Sequence, residues 1–276
     1  MLIARAQWYI ESFLSEPLTL DRIAADCRVS TFHLTRTFTV LTGMPVMRYV
    51  WRRRLARAAE ALEQEAPPVL TIALDAGYQS HEAFSRAFKA EFGLSPRQLR
   101  TGRIAPDRLV KPTFMRTTPM PRTLAPPTVE AMPERRIVGL SRRYDIETRS
   151  AIPAQWAAYN EAGPPPEGWV PDRWYGVVSG FNAAGDEFDY LCGVEVPRPG
   201  PLPFGQTAII VPPGRYARFA SRNHISTMSA VWTEIYSDWL GQDGFHPRQA
   251  PSLEFYPVEF DGRTGEGGFE VWVPVA

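Results

Sequence analysis

The feature that most constrains this chain is an internal repeat. A displacement of 50 residues brings Leu20 onto Leu70, Ser30 onto Ser80, Arg36 onto Arg86, Phe38 onto Phe88 and Gly43 onto Gly93, and keeps apolar character at Leu34 and Phe84. Each copy reads as a short helix (Leu20–Asp26, then Thr71–Ala76), a tight turn and a second helix. Ser30 and Ser80 stand where an N-cap is needed, because a hydroxyl there accepts from an otherwise unpaired helical N–H. Gly43 and Gly93 stand where the second helix must stop. Two short helices joined by a tight turn form a unit whose second helix can lie in a DNA major groove. Between the copies, residues 46–65 run without Gly or Pro. A helix of about 18 residues is about 27 Å long. With a unit at each end, such a rod sets two reading helices about 34 Å apart, one turn of B-DNA.

Charge divides the chain the same way. Residues 1–123 hold 18 Lys+Arg against 11 Asp+Glu, a net +7; residues 124–276 hold 12 against 19, a net −7. A basic half beside an acidic one suggests one partner that is a polyanion and one that is not. The 276 residues are enough for two domains. We place an all-α double helix-turn-helix domain at 1–102, a Pro-rich linker at 103–127 and an α+β domain at 128–276. No apolar run approaches the roughly 18 residues of a membrane span, so no membrane role is expected. The first residues, MLIARAQWYIESFL, carry Arg5 and Glu11 and no small-residue cleavage site, so no signal peptide is expected either. Cys27 and Cys192 are the only cysteines and lack metal-like spacing. Neither a metal nor a cofactor is expected, and a reducing cytoplasm suits the chain.

In the reading helices the apolar stripes are Leu34, Phe38 and Leu41, then Phe84, Phe88 and Phe92. Thr31, Phe32, Thr35 and Arg36 lie towards the other face of the first helix. His81, Glu82, Ser85, Arg86 and Lys89 do so on the second. Arginine reads guanine through paired bonds to O6 and N7; the competing reading for Arg36 and Arg86 is a salt bridge. Arg52, Arg53, Arg54 and Arg57 line the connecting helix, where they would neutralise phosphates or pair with Glu60 and Glu63.

These residues carry a resemblance. The stretch from Ile3 to Arg100 resembles the DNA-binding domain of AraC/XylS-family transcription regulators, most closely in IALDAGYQSHEAFSRAFKAEFGLSPRQLR. The matching elements are Ala73 to Gly77 and Tyr78, then Phe84–Lys89, then Gly93, Ser95, Pro96 and Arg100. The resemblance implies base contacts from Phe32, Arg36, His81, Glu82 and Arg86. Phe32 and Glu82 depart from the commonest choices, which leaves the base preference open.

The acidic half repeats more weakly, as two βαββ units. One runs RRIVGLSRRY, PAQWAAY, WYGVVSGF, FDYLCGVEVP; the other runs QTAIIVPPGRYARFA, AVWTEIYSDWL, LEFYPVEF, FEVWVPV. The helices share a Trp and a Tyr: Trp156 and Tyr159, then Trp232 and Tyr236. A pseudo-twofold pair of such units would leave a groove at its junction, a favoured place for small ligands. Strand alternation puts Glu254 with Tyr256, and Glu270 with Trp272. A carboxylate beside aromatic faces binds organic cations. The plainer reading makes Glu254 a strand residue paired to an arginine and the rings core.

Residues from about Thr128 to Ala276 resemble a GyrI-like effector-binding domain, through FDYLCGVEVP, PGRYARF, VWTEIYSDWL, LEFYP and FEVWVPV. The resemblance implies that Glu254 faces a small lipophilic effector, cations among them, with Tyr256 and Trp272 beside it. Tyr144, Tyr175 and Tyr190 are further candidates. The expected function is a ligand-responsive regulator of transcription whose partners are double-stranded DNA, the effector and RNA polymerase. An enzyme is the second class, since a buried Glu can serve acid–base chemistry. We find no Ser-His-Asp order, nucleophile elbow or metal motif, so no catalytic residue is assigned. A partner-docking role for the acidic half is the third class.

Overall fold

The computed structural model describes residues 2–63, 67–101, 123–145, 147–240 and 245–276. The chain forms two compact units, residues 1–34 with 44–116, and residues 35–43 with 117–276. The linker expected at 103–127 lies outside the described residues up to position 122.

The first unit is helical throughout: α1 (Leu2–Ser12), α2 (Leu20–Cys27), α3 (Thr31–Thr42), α4 (Val46–Glu63), α5 (Val69–Asp75), α6 (His81–Phe92) and α7 (Pro96–Arg100). The second part of α3, from Thr35, groups with the other unit. The local signals act as expected. The Ser80 hydroxyl accepts from the Ala83 N–H at 3.1 Å and the Ser30 hydroxyl from the His33 N–H at 3.1 Å. Gly43 and Gly93 close their helices with φ of 73° and 77°, where a side chain would be strained. The α5–α6 turn uses Gly77, at φ 85°, whereas the α2–α3 turn puts Arg28 into the left-handed region at φ 58°. Phe84, Phe88 and Phe92 bury one face of α6 against Leu55, Ala59 and Leu62 of α4 and Ile72 and Ala73 of α5.

The second unit is one eight-stranded antiparallel sheet with helices. Its elements are β1 (Thr128–Met132), β2 (Arg135–Asp145), α8 (Ile152–Glu161), β3 (Trp174–Ser179), β4 (Glu187–Glu195), β5 (Thr207–Val211), β6 (Gly214–Ser221), α9 (Met228–Glu234), β7 (Ser252–Tyr256) and β8 (Phe269–Val275). Each half therefore adds one strand ahead of the expected βαββ core. The strand order is β1-β6-β8-β7-β3-β4-β2-β5. Exchanging each strand with its counterpart in the other half reverses this order and leaves it otherwise unchanged, which is the pseudo-twofold.

The added strands cross over. β1 pairs with β6 of the second half, and β5 pairs with β2 of the first. Only Pro133 and Glu134 join β1 to β2, although five strands separate them in the sheet. In a flat sheet that separation is about 29 Å, at about 4.8 Å per strand. Three residue steps span at most about 11 Å. The sheet must therefore curl until its ends approach, and Pro212 and Pro213 impose the same condition between β5 and β6.

Candidate functional sites

On α6, His81, Glu82, Arg86 and Lys89 are exposed and Ser85 is half-buried. Among the described residues, neither Arg86 nor Lys89 has a carboxylate within salt-bridge distance. The Glu82 carboxyl, in the first turn, is held below its usual range by the backbone N–H and the Ser80 hydroxyl. On α3, Thr31 and Phe32 are half-buried, while Thr35 and Arg36 are buried.

The arginines of α4 are used differently from the expectation. Arg53 makes a paired contact with Glu11 of the first helix, at 2.7 and 2.9 Å, and Arg52 donates to Glu91 at 2.6 Å. Arg54 donates to the carbonyls of Leu14 and Glu16 and packs over Gly77, where an added Cβ would lie 2.8 Å from its Nη1. Arg57 donates to the Ser15 hydroxyl at 3.0 Å. Glu60 and Glu63 take no salt bridge among the described residues. Tertiary neighbours win because α4 is the central helix of the unit, so these side chains meet other elements before they meet their own next turn.

In the second unit, β7 presents Glu254 and Tyr256 on the sheet face that α8 and α9 cover. Glu254 is 6% exposed. Its Oε2 accepts from the hydroxyls of Tyr190 (2.7 Å) and Tyr256 (3.0 Å), and its Oε1 from the Trp232 indole N–H of α9 (2.9 Å). The Trp156 indole of α8 donates to the Tyr190 hydroxyl at 3.0 Å and meets the Tyr256 ring edge-on at 5.3 Å. Burying an ionised carboxylate is costly, and three charge-assisted bonds offset that cost. Burial and the neighbouring Glu254 charge push both Tyr190 and Tyr256 well above the usual phenol range. Both therefore remain donors at neutral pH.

Gly176 makes room for this arrangement. It lies opposite Glu254 on β7 and Cys192 on β4. A Cβ there would collide with the Tyr190 hydroxyl and lie 2.8 Å from Glu254 Oε2. Gln155 fixes α8 by donating to the carbonyls of Leu140 and Tyr190, at 2.8 and 3.0 Å. Tyr144 belongs to the same buried cluster as Tyr190, Tyr159 and Cys192, and the hydroxyls of Tyr144 and Tyr159 have no hydrogen-bond partner among the described residues.

The register separates Trp272 and Tyr175 from this group. Trp272 pairs with Leu253, and Val271 with Glu254; Tyr175 pairs with Phe255. Cross-strand partners share a face, so Trp272 and Tyr175 stand on the opposite side of the sheet from Glu254. There Trp272 donates to Glu270 at 2.6 Å beneath Arg218, whose guanidinium is 4.7 Å from the ring centroid. It borders a cavity also lined by Glu130, Met132, Arg135 and Tyr216. Sequence reasoning used Trp156 and Trp232 only as markers of the repeat. An indole N–H drawn into a half-buried position needs an acceptor, and that need was the available signal.

Two helix-turn-helix units ahead of a two-fold curled sheet with a buried carboxylate define a class of two-part proteins, a DNA-binding part and a small-molecule-binding part. A model of the GyrI-like small molecule binding domain matches residues 125–276, and one of a helix-turn-helix domain matches residues 23–102. The right origin-binding protein of Escherichia coli K12 and the transcriptional regulator Rob of Salmonella typhimurium are each 41% identical over 88 residues, 32% of this chain and 30% of theirs. The regulatory protein SoxS of Salmonella typhimurium is 35% identical over 92 residues, 33% of this chain and 86% of its own. The chain thus belongs to the GyrI-like family in its second part and to the AraC/XylS family, one of DNA-binding transcription regulators and not of enzymes, in its first. It spans less than a third of the length of the first two relatives. No described helix is long and apolar enough to cross a membrane.

Proposed function

We propose that the chain is an effector-responsive transcription regulator, with a DNA-binding domain at 1–102, a linker at 103–127 and an effector domain at 128–276. Its two reading helices, α3 and α6, enter successive major grooves on one face of the duplex. Thr31, Phe32, Thr35 and Arg36 meet DNA from the first, His81, Glu82, Ser85, Arg86 and Lys89 from the second. Contact from the first requires Thr35 and Arg36 to be exposed. Arg86, exposed and without a salt bridge among the described residues, supports base reading, because a guanidinium already held by a carboxylate is not available to guanine. RNA polymerase is the protein partner and the cytoplasm the compartment.

The effector is a small lipophilic cation held at Glu254, with Tyr256, Tyr190 and Tyr144 around it. One observation carries this reading: a buried carboxylate set among aromatic rings, whose three hydrogen-bond donors are all neutral. No cation of the described residues lies within salt-bridge distance of it; the buried Arg36 feels its charge but bonds Ser252 instead, so a cationic ligand in contact with the carboxylate gains Coulomb and ring contacts together. The effector acts on DNA binding only through unequal affinity for two states of the chain. The test is titration with rhodamine 6G, a lipophilic cation, against the neutral N-phenyl-1-naphthylamine. We expect the cation to bind more tightly, to lose at least tenfold in affinity in Glu254→Gln, and to change operator affinity. Equal binding of both probes, unaffected by the substitution, overturns the cation assignment. Unchanged operator affinity at saturation removes the coupling.

A further inference from the structure

Two side chains of helix α9 hydrogen-bond outside the helix, to different destinations. Trp232 donates to Glu254 Oε1 at 2.9 Å. Two residues later, Glu234 is 4% exposed and holds the chain at the end of the linker. Its Oε1 accepts from the backbone N–H groups of Thr123 and Leu124, both at 2.9 Å, and its Oε2 from the Thr123 hydroxyl at 2.6 Å. The Leu124 side chain is buried in the same apolar cluster as Val231 and Ile235. Residues two apart on a helix project about 200° from each other. A rotation of α9 about its axis therefore moves both hooks at once.

The regular helix also ends immediately after Glu234. It passes directly into a π-helical turn, Ile235–Trp239, where the hydrogen-bond step lengthens by one residue. Such turns are rare and recur at functional sites. The bonds at Glu234 leave little slack: a displacement of about 1 Å takes them beyond bonding distance.

We propose that α9 couples the Glu254 site to the linker. A cation at Glu254 takes over Oε1, the Trp232 indole lets go, α9 turns, and Glu234 releases Thr123 and Leu124. The direction of the coupling rests on the effector reading above; the mechanical link between Trp232 and Glu234 does not. Linkage makes the effect reciprocal: whatever factor the cation contributes to loosening the hook, loss of the hook returns as tighter cation binding.

The test is amide hydrogen exchange of the full chain at Thr123 and Leu124, with the amides of β4 and β6 as an internal measure of intact folding. Trp232→Phe keeps a ring and removes the N–H. With no ligand present, it is expected to speed exchange at the two linker amides roughly tenfold and leave β4 and β6 unchanged. Saturating rhodamine 6G is expected to do the same in the unsubstituted chain and to add nothing in Trp232→Phe. Glu234→Gln is expected to expose the amides and to tighten rhodamine 6G binding severalfold. Unchanged linker exchange in Trp232→Phe, with β4 and β6 intact, overturns the coupling. So does a bound cation that leaves linker exchange unchanged in the unsubstituted chain. If rhodamine 6G fails to bind, the effector reading falls, and the ligand-free comparison still decides the link.

Discussion

Replacing Glu254 by Gln tests the site with almost no change in shape. The carboxylate accepts three bonds, two hydroxyls at Oε2 and one indole N–H at Oε1. A carboxamide offers one acceptor oxygen and one donor nitrogen. With its oxygen towards Trp232, its NH2 faces Tyr190 and Tyr256. The Tyr190 oxygen already accepts from Trp156, so the Tyr190 proton loses its acceptor. With the oxygen towards the tyrosines, NH2 faces the Trp232 N–H, donor against donor. Either orientation strands at least one buried donor, which costs about 1–3 kcal/mol. We expect the second unit to lose about 2 kcal/mol, and at an m-value near 2 kcal/mol/M the urea midpoint falls by about 1 M. Six of the eight tryptophans lie beyond residue 123, so indole fluorescence follows this unit. Glu254→Leu, which strands all three donors, should cost more than Glu254→Gln. A change below about 0.5 kcal/mol, or the reverse ranking of the two variants, would refute this hydrogen-bond accounting.

Gly176→Ala should cost about 1–3 kcal/mol of overpacking and weaken cation binding, measured by urea unfolding and rhodamine 6G titration; full tolerance would mean the site relaxes freely. Alkali should destabilise the second unit. Burial raises the Tyr159 and Tyr175 phenols and the Cys192 thiol to about 12 each, and Tyr190 and Tyr256 well above 10. Their protonated forms are favoured in the folded state, so the contribution is whole below the unfolded values, about 8.5 for Cys and 10 for Tyr, and is lost as pH climbs towards the folded ones. Urea midpoints should therefore drop between about pH 9 and 11; a flat profile contradicts the assignment. Arg53→Met should lower the stability of the first unit by about 1–3 kcal/mol, since it leaves the half-buried Glu11 with the Tyr49 hydroxyl and no cation, and leave the salt dependence of DNA affinity unchanged. A shallower salt slope would make Arg53 a phosphate contact. Arg86→Ala should cost about 1–3 kcal/mol at one base position; a uniform loss across operator sequences would place the guanidinium on phosphate.

The helical part was legible because its signals are local. A serine hydroxyl three residues from the N–H it caps, a glycine at positive φ and an apolar stripe of period 3.6 each act within one or two turns. The partners of Arg52, Arg53 and Arg54 lie 38 to 42 residues away, and no spacing rule on a single helix points to Glu11, Leu14 or Glu91. β1 escaped the repeat, and β5 was read together with β6 as the opening segment of the second unit, for the same reason: each finds its partner in the other half of the sheet.

What the amino-acid sequence determined by itself was the duplicated reading unit, the alternation that places Glu254 with Tyr256, and the acidic strand as a candidate site. Which carboxylate each aromatic meets was decided only in three dimensions. Trp272 is two residues from Glu270 and pairs across the sheet with Leu253, so it takes Glu270; Trp232 reaches Glu254 from a helix 22 residues away. Alternation fixes which neighbours along a strand share a side. Only the pairing register fixes which side of the sheet each strand's residues share with the next, and that register is set by contacts between distant segments.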